Sequence, residues 1–296
     1  MQIKILSSKD YEDKDKRYGD CTIIDYQTGI LVYDCGSIEH ANRVIEYIKT
    51  RNIKKIDIVL SHNDADHFDG IPTLIENGVV DKIYTVLVLK YIDEILDKID
   101  DKRKNRESLK KQIKDIYSNI NALSGNNLVD AIETEKIIEE IKLVGPTKEY
   151  FIEATSKLLD TTESDQIDGE SITNATSIQL EVKLDENKLF LCGDASFKAI
   201  EDKIENYQII QLPHHGKLEQ AQQIFDAVDN NHVKYVVSDN SGNANGGSDE
   251  LPKKGYDIEN TKNGDIELDS KIILSSCKGS YGEIYEMYNF KQKNIV

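Results

Sequence analysis

Two histidines and two aspartates lie within six residues, directly after an apolar run that predicts a β-strand. The run is Ile56–Leu60, and the segment that follows it, His62–His67, has the pattern HxDxDH. Imidazole and carboxylate groups are ligands for zinc, manganese and iron, and two such groups on each of two ions is how a metal pair is held in hydrolases. The alternative is a polar loop that caps the next helix. We favour the metal-binding interpretation, because this density of ligand-type residues exceeds what a cap requires.

The remaining histidines place further ligand-type residues at predicted strand ends. The chain has six histidines. The motif His-His-Gly follows the apolar run Ile209–Leu212, and a second apolar run, Leu189–Cys192, closes on Gly-Asp. Since strand ends converge on one rim of an α/β sheet, where ligands bind, we expect one common site. The other two histidines, His40 and His232, are predicted to be surface residues.

Together, these motifs resemble the metallo-β-lactamase fold. They are most similar to the branch that contains the hydrolase domain of the DNA-uptake competence protein ComEC and the phosphorylcholine esterases, where Asp64 replaces the second histidine of the usual HxHxDH. Asp34–Gly36 resembles the Asp-x-Gly that ends the family's opening hairpin, and Asn174–Ser177 resembles its Asn-x-x-Ser element. The resemblance covers residues 1 to about 87 and about 170 to 290. It implies an α/β protein, a four-layer αββα sandwich, with a helical insertion.

The resemblance also implies a role for each ligand. The first metal would be bound by His62 and Asp64, the second by Asp66 and His67, and both by Asp194. Either His214 or His215 would complete the second site, with a preference for His214. Other members supply a third imidazole to the first metal from a segment before the Gly-Asp, and this sequence has no histidine there. We therefore expect two divalent ions, zinc or manganese, with an oxygen-rich first site that relies on water or Asn174.

The expected chemistry follows from the charge of two metal ions. A water that bridges them would attack phosphorus or a carbonyl, while the ions hold the developing oxyanion. Asp66 would orient this water as well as bind metal, and Lys217 or His215 would donate to the leaving oxygen. The predicted catalytic residues are therefore Asp66, His215 and Lys217. The alternative for Lys217 is a solvated residue at the start of a helix.

Length and composition favour one large domain in a reducing compartment. With 296 residues the chain can bury a full core, and residues 1–296 are predicted to form a single domain. The four cysteines have no metal or disulfide spacing, which is typical of buried free thiols. The sequence contains no apolar run of membrane-spanning length and no signal sequence, so we expect a cytoplasmic protein that does not interact with membranes.

The formal net charge of −17 opposes the approach of a nucleic acid. Two divalent ions and basic clusters such as Lys102–Lys104 would offset part of this repulsion. A basic partner subunit would do the same. The charge therefore lowers the expectation of a nuclease without excluding one.

Residues 90–145 are highly charged and carry apolar residues at steps of three and four, broken at Gly125–Asn127. This pattern predicts an amphipathic pair of helices inserted into the domain. One interpretation is a helical hairpin packed on the sandwich. The others are a cap over the site or a docking surface for a protein partner.

Two classes of function remain. The first is a metal-dependent phosphodiesterase, either a DNA or RNA nuclease or a hydrolase of small phosphoesters. The second is a non-catalytic or partner-activated subunit of a multi-protein assembly, since free-standing relatives of this branch resemble effectors of bacterial systems against foreign DNA. Hydrolysis of lactones or thioesters is a further alternative within the first class.

Overall fold

The computed structural model describes residues 1–13, 17–99, 105–123, 125–160, 167–239, 248–252 and 254–269. The strands in these ranges are β1 (Gln2–Ile5), β2 (Thr22–Tyr26), β3 (Gly29–Tyr33), β4 (Ile56–Val59), β5 (Val80–Thr85), β6 (Leu128–Asp130), β7 (Lys136–Ile138), β8 (Ile141–Gly145), β9 (Gln179–Leu184), β10 (Asn187–Leu191), β11 (Ile209–Gln211), β12 (Lys234–Val237), β13 (Asp257–Asn260) and β14 (Ile266–Asp269). The helices are α1 (Ile38–Thr50), α2 (Ala65–Phe68), α3 (Ile71–Glu76), α4 (Ile92–Asp97), α5 (Arg106–Ile116), α6 (Ser118–Ala122), α7 (Lys148–Asp160), α8 (Ile172–Ala175) and α9 (Leu218–Ala227).

The strands form two mixed seven-stranded sheets flanked by helices. The first sheet has the order β14-β1-β2-β3-β4-β5-β6, and the second has the order β13-β12-β11-β10-β9-β8-β7. Residues of central strands such as β3 and β11 are buried on both faces. This explains why their sequences are continuous apolar runs rather than alternating ones. The predicted α/β sandwich is confirmed.

The parallel strands of both sheets end at the same edge, which we call the rim. In the first sheet β3, β4, β5 and β6 run parallel, and in the second β10, β11, β12 and β13 run parallel. The sheets are joined at the rim, where the backbone N–H of Ile178 donates to the Ser61 carbonyl over 2.9 Å. The Tyr33 hydroxyl donates to the Ile178 carbonyl over 2.7 Å. The segments that follow β4, β10 and β11 therefore meet.

The prediction of a helix in the second half of the insertion is wrong. The first half contains the helices α4, α5 and α6, but β6, β7 and β8 occupy the part from Leu128 to Gly145. β6 pairs with β5 in the first sheet, and β8 pairs with β9 in the second. Isoleucines at steps of three and four fit short β-strands as well as helices, and β-branched residues favour strands.

Other elements also differ from the sequence interpretation. The sequence of residues 148–175 predicts a mixed connector, but residues 148–160 form the helix α7. The sequence at about 196–206 predicts a helix, but this segment contains two short 3₁₀ turns. His40 is buried on the inner face of α1, not at the surface. The Lys102–Lys104 cluster lies outside the described residues. So do residues 272–274 and 283–285, whose sequences predict two closing strands.

Among the described residues, no helix combines the length and the apolar character that crossing a membrane requires.

Candidate metal centre

Asp194 lies between two imidazoles that come from the other sheet. Its Oδ1 is 3.3 Å from Nε2 of His67, and its Oδ2 is 3.9 Å from Nε2 of His62. Asp194 follows β10, while both histidines follow β4, and all three side chains are buried. One carboxylate that faces two imidazoles on opposite oxygens has the geometry of a ligand shared by two cations.

His67 is held from behind by Asp34. Its Nδ1 donates to Asp34 Oδ2 over 2.8 Å, and the same carboxylate accepts bonds from the backbone N–H and the hydroxyl of Ser61, each over 2.7 Å. Asp34 is fully buried and has a φ of 58°, a conformation that Asp tolerates better than most residues. A carboxylate on Nδ1 fixes the tautomer and turns Nε2 towards the centre.

His215 has a similar arrangement. Its Nδ1 lies 3.1 Å from the Ser238 carbonyl and 3.2 Å from Asp20 Oδ1, while its Nε2 lies 2.9 Å from Asp66 Oδ2. Asp20, which precedes β2, is buried. His215 therefore extends the centre on the side of Asp66 and His67.

His62 has hydroxyl partners instead of a carboxylate. Its Nδ1 lies 3.0 Å from the Ser61 hydroxyl and 3.2 Å from the Ser177 hydroxyl. Because the Ser61 hydroxyl donates to Asp34, the Nδ1–H of His62 donates to Ser61, and its Nε2 keeps a lone pair. Burial and the neighbouring charge of His67 lower the pKa of His62. A neutral imidazole with a free Nε2 is the form that binds metal.

The donor atoms of this cluster fit metal ions. Within the part of the chain that the structure describes, the buried atoms His62 Nε2, His67 Nε2 and Asp194 Oδ1 lack hydrogen-bond partners. Such atoms cost free energy unless a partner binds them. The ligand atoms of His62, His67 and Asp194 lie within 4.8 Å of one another, as do those of Asp20, His67 and His215. These are two overlapping groups that share His67.

The electrostatics of the cluster attract positive charge. Burial opposes protonation of His67, but Asp194, Asp34 and Asp20 outweigh it and raise the pKa of His67. Burial likewise opposes ionisation of Asp194, but the neighbouring imidazoles hold its pKa well below the usual range. The attraction of these carboxylates for a positive charge is greater than the cost of removing that charge from water. Such a centre suits divalent ions.

The side of the centre at His62 is rich in oxygen. Asp64 Oδ2 lies 3.7 Å from His62 Nε2, and its Oδ1 accepts a hydrogen bond from the Thr173 hydroxyl over 3.1 Å. Asn174 Nδ2 donates to Asp194 Oδ2 over 3.3 Å. Asn174 thus orients the carboxylate of Asp194 on this side of the centre. A site made of one imidazole and several carboxylates binds hard ions such as manganese more readily than a site with nitrogen ligands alone.

The structure distinguishes between His214 and His215, either of which the sequence allowed as the ligand of the second metal. His215 faces Asp66, whereas His214 Nδ1 donates to Glu170 Oε2 over 2.8 Å. Lys217 also binds Glu170, with its Nζ 2.9 Å from Oε1. We therefore revise the preference for His214 as the metal ligand in favour of His215. His214 joins Lys217 in a separate cluster beside the centre.

Two backbone features make the centre compact. A Cβ at Gly36 would lie 1.7 Å from the Asp66 carbonyl oxygen. The Asp-x-Gly motif can therefore pack only with glycine there against Ser61–Phe68, which we call the metal loop and which contains α2. His214 and His215 both have a positive φ, 52° and 55°. Consecutive residues in this region are uncommon outside glycine and cluster at functional sites.

Two residues of the centre were not predicted from the sequence. Asp20 follows a glycine in an irregular segment, and Glu170 lies in a charged stretch; neither is part of a ligand-type motif. Asp34 appeared only as part of the Asp-x-Gly element. The burial of a carboxylate is what distinguishes these residues, and burial outside regular elements has no sequence signature.

The fold and this centre define a metallo-hydrolase class, and comparison with known proteins identifies the family. The family model of the metallo-β-lactamase superfamily matches residues 15–238. The chain belongs to this superfamily. Membership supports a hydrolase activity, and the fold implies divalent metal ions.

Solved structures of similar proteins span almost the whole chain at low identity. A diphosphatase from the PhnP family is 12% identical, covers 91% of this chain and 98% of its own, and has a TM-score of 0.49. The metallo-β-lactamase fold protein YhfI from Bacillus subtilis is 10% identical, with coverages of 90% and 99% and a TM-score of 0.49. Igni18, a metallo hydrolase from the archaeon Ignicoccus hospitalis, is 12% identical, with coverages of 91% and 99% and a TM-score of 0.48. A search of curated proteins gave no match.

Proposed function

We propose that this protein is a metal-dependent phosphodiesterase with two divalent ions. The proposal rests on Asp194, whose two carboxylate oxygens each face a buried Nε2 atom that has no hydrogen-bond partner among the described residues. His62, Asp64 and Asp194 would hold the first ion. Asp66, His67, His215 and Asp194 would hold the second. When bound, divalent ions lower the pKa of water and polarise a phosphoryl oxygen.

The side chains around the centre have separate tasks in this reaction. Asp66 would orient the attacking water. Asn174 holds Asp194 in place from the other side. Lys217, which pairs with Glu170 beside the centre, would provide positive charge near the phosphoryl group.

A phosphodiester is the substrate class that the sequence resemblance favours. The HxDxDH pattern with Asp64 is similar to the branch with the ComEC hydrolase domain and the phosphorylcholine esterases, which supports a nuclease or a hydrolase of smaller diesters. The net charge of −17 favours the smaller diester, because it opposes the encounter with a polyanion.

The test is hydrolysis by the manganese- or zinc-loaded protein. Bis-p-nitrophenyl phosphate, single-stranded DNA, double-stranded DNA and RNA are supplied to the wild type and to the Asp66→Ala and Asp194→Ala variants. We expect metal-dependent cleavage of the diester, lost in both variants. Absence of turnover on all four substrates by a protein with two bound ions would overturn the proposal of a free-standing enzyme.

A second candidate, a partner-activated enzyme, is favoured by the contact between the helical region and the metal loop. Asn63 lies between His62 and Asp64. Its Nδ2 donates to the Ile116 carbonyl over 2.7 Å, and its carbonyl accepts a bond from Asn119 Nδ2 over 3.0 Å. A protein bound to α5 and α6 would therefore act directly on the metal loop. Two bound ions without turnover in the isolated chain would favour this candidate.

A further inference from the structure

Glu170 is a buried carboxylate beside the metal centre. Only 1% of its side chain is exposed. It accepts bonds from His214 Nδ1 over 2.8 Å and from Lys217 Nζ over 2.9 Å. We call Glu170, His214 and Lys217 the Glu170 cluster.

The turn that carries Glu170 is anchored to the second sheet's outer layer. Asp168 and Gly169 have φ values of 56° and 78°, as in the tight turns of β-hairpins, and Ile167 bridges to Glu170 across the turn. The buried Gln220 of α9 donates to the Asp168 carbonyl over 2.8 Å and to Glu170 Oε1 over 3.3 Å. The carboxylate is therefore held in place independently of its cationic partners.

The Glu170 cluster is connected to the shared metal ligand. Asn174 Nδ2 donates to Glu170 Oε2 over 3.4 Å and to Asp194 Oδ2 over 3.3 Å. A single side-chain amide thus separates the two carboxylates. The cluster therefore lies beside the proposed shared metal ligand.

The acidic residue of the cluster is buried, and its two basic residues are partly exposed. Glu170 is buried, whereas 17% of the His214 side chain and 26% of the Lys217 side chain are exposed. The carboxylate is therefore more deeply buried than either of its two donors. A lysine ammonium has three N–H donors, and one of them is enough for Glu170. Among the described contacts Glu170 is the acceptor for Lys217 Nζ, which leaves two donors for an anion.

We propose that Lys217, with His214 beside it, binds the anionic oxygens of the substrate's phosphoryl group, and that Glu170 is the positioning residue that holds these two side chains at the centre. The inference rests on the proposed phosphodiesterase function, whose substrate contacts it assigns. Without Glu170 the flexible lysine would sample many conformations and lose its preorganisation for the anion.

The test measures binding of inorganic phosphate to the manganese-loaded protein by calorimetry. The variants are Glu170→Gln, Lys217→Ala and the double variant. The control is Glu181→Gln, which breaks the Lys188–Glu181 pair of 3.1 Å on β9 and β10, away from the rim. Metal content is measured for every protein. In parallel, kcat and KM are measured on bis-p-nitrophenyl phosphate.

We expect each single variant to bind phosphate roughly tenfold more weakly, the loss of one charge-assisted hydrogen bond. Metal content should stay that of the wild type, and KM should rise more than kcat falls. The double variant should lose much less than the product of the single losses, because Glu170 acts through Lys217. The control should bind like the wild type.

The outcomes separate the two proposals. If the wild type hydrolyses the diester and Glu170→Gln binds phosphate as tightly as the wild type, the inference is wrong and the proposed function stands. Multiplicative losses in the double variant would also overturn it. If Glu170→Gln loses its metal or does not fold, Lys217→Ala decides: unchanged phosphate binding in that variant contradicts the inference. A wild type that neither hydrolyses diesters nor binds phosphate contradicts both proposals.

Discussion

Asp34 connects the first sheet to the metal centre through a single side chain. It holds His67 at Nδ1 and the metal-loop residue Ser61 at two atoms, all within 2.8 Å. Substitution by Asn keeps the shape of the side chain and its tolerance of a positive φ, but removes the charge that fixes the His67 tautomer.

We expect Asp34→Asn to weaken metal binding roughly 10- to 100-fold, as loss of a carboxylate behind a metal-binding histidine does. Competition with a chelator measures this affinity. Asp25→Asn is the control, since Asp25 pairs with Arg51 at 2.6 Å on the same sheet without contacting the centre. Equal metal affinity in Asp34→Asn and the wild type would contradict the role assigned to Asp34.

His40 makes the stability of the fold depend on pH. It is fully buried on α1 against the Tyr11 ring, 5.3 Å between centroids, and both ring nitrogens lack hydrogen-bond partners within the described ranges. Burial, assisted by the charge of Arg43, lowers its pKa from 6.5 to about 3. The folded protein therefore keeps His40 neutral at a pH where the unfolded chain protonates it.

The sign of the effect follows from proton uptake. Below a pH of about 6.5 the unfolded state binds a proton that the folded state rejects, so the free energy of unfolding falls as the pH drops towards about 3. We expect His40→Leu to lose less stability than the wild type between about pH 7 and pH 5 in urea denaturation of the chelator-treated proteins. Identical losses in both proteins would show that His40 does not titrate in this way.

Residues at the end of α5 and in α6 form hydrogen bonds with Asn63 of the metal loop. If this contact stabilises the loop, Asn119→Ala should increase hydrogen exchange in the peptide that spans residues 61–70 several-fold, while exchange in β9 and β10 stays unchanged. Asn121→Ala is a matched control, because Asn121 lies in the same helix and bonds only within the helical region, to the Lys114 carbonyl over 3.3 Å among the described contacts. Equal exchange in the two variants would exclude the coupling that a partner-activated enzyme needs.

Predictability from the sequence differed among the elements for physical reasons. Strands followed by ligand-type residues, such as β4 and β10, were predictable because their buried residues are apolar and lie close together in the sequence. Segment 128–145 was not, because three-residue strands such as β6 and β7 carry too few residues to reveal their period. The steps of the isoleucines there predicted a helix, but this segment forms strands, two of which are edge strands of the two sheets.

The candidate site was predictable where a motif carried it. His62, Asp64, Asp66, His67 and Asp194 lie together as their positions at strand ends suggested. The choice between adjacent His214 and His215 depended on two positive φ values that turn their rings apart, 75° between planes. The roles of Asp20 and Glu170 depended on contacts across more than forty residues of chain, which no local pattern contains.

The net charge of −17 acts on the whole molecule. If DNA is a substrate, its encounter with the protein is opposed by long-range repulsion, which salt screens. We expect kcat/KM for a single-stranded oligonucleotide to rise when NaCl is increased from about 20 to about 150 mM, with little change for bis-p-nitrophenyl phosphate. A steep fall for the oligonucleotide would instead show that local cationic contacts dominate binding.

The two sheets contribute different ligands to one centre, so metal binding joins the halves of the molecule through Asp194. The most direct test of this account is the number of metal ions per chain, measured by mass spectrometry after saturation with manganese or zinc and desalting. The account predicts two ions in the wild type and in Glu181→Gln, and fewer than one in Asp194→Asn, because both ions lose a shared ligand. Two ions retained by Asp194→Asn, or no ion in the wild type, would contradict it.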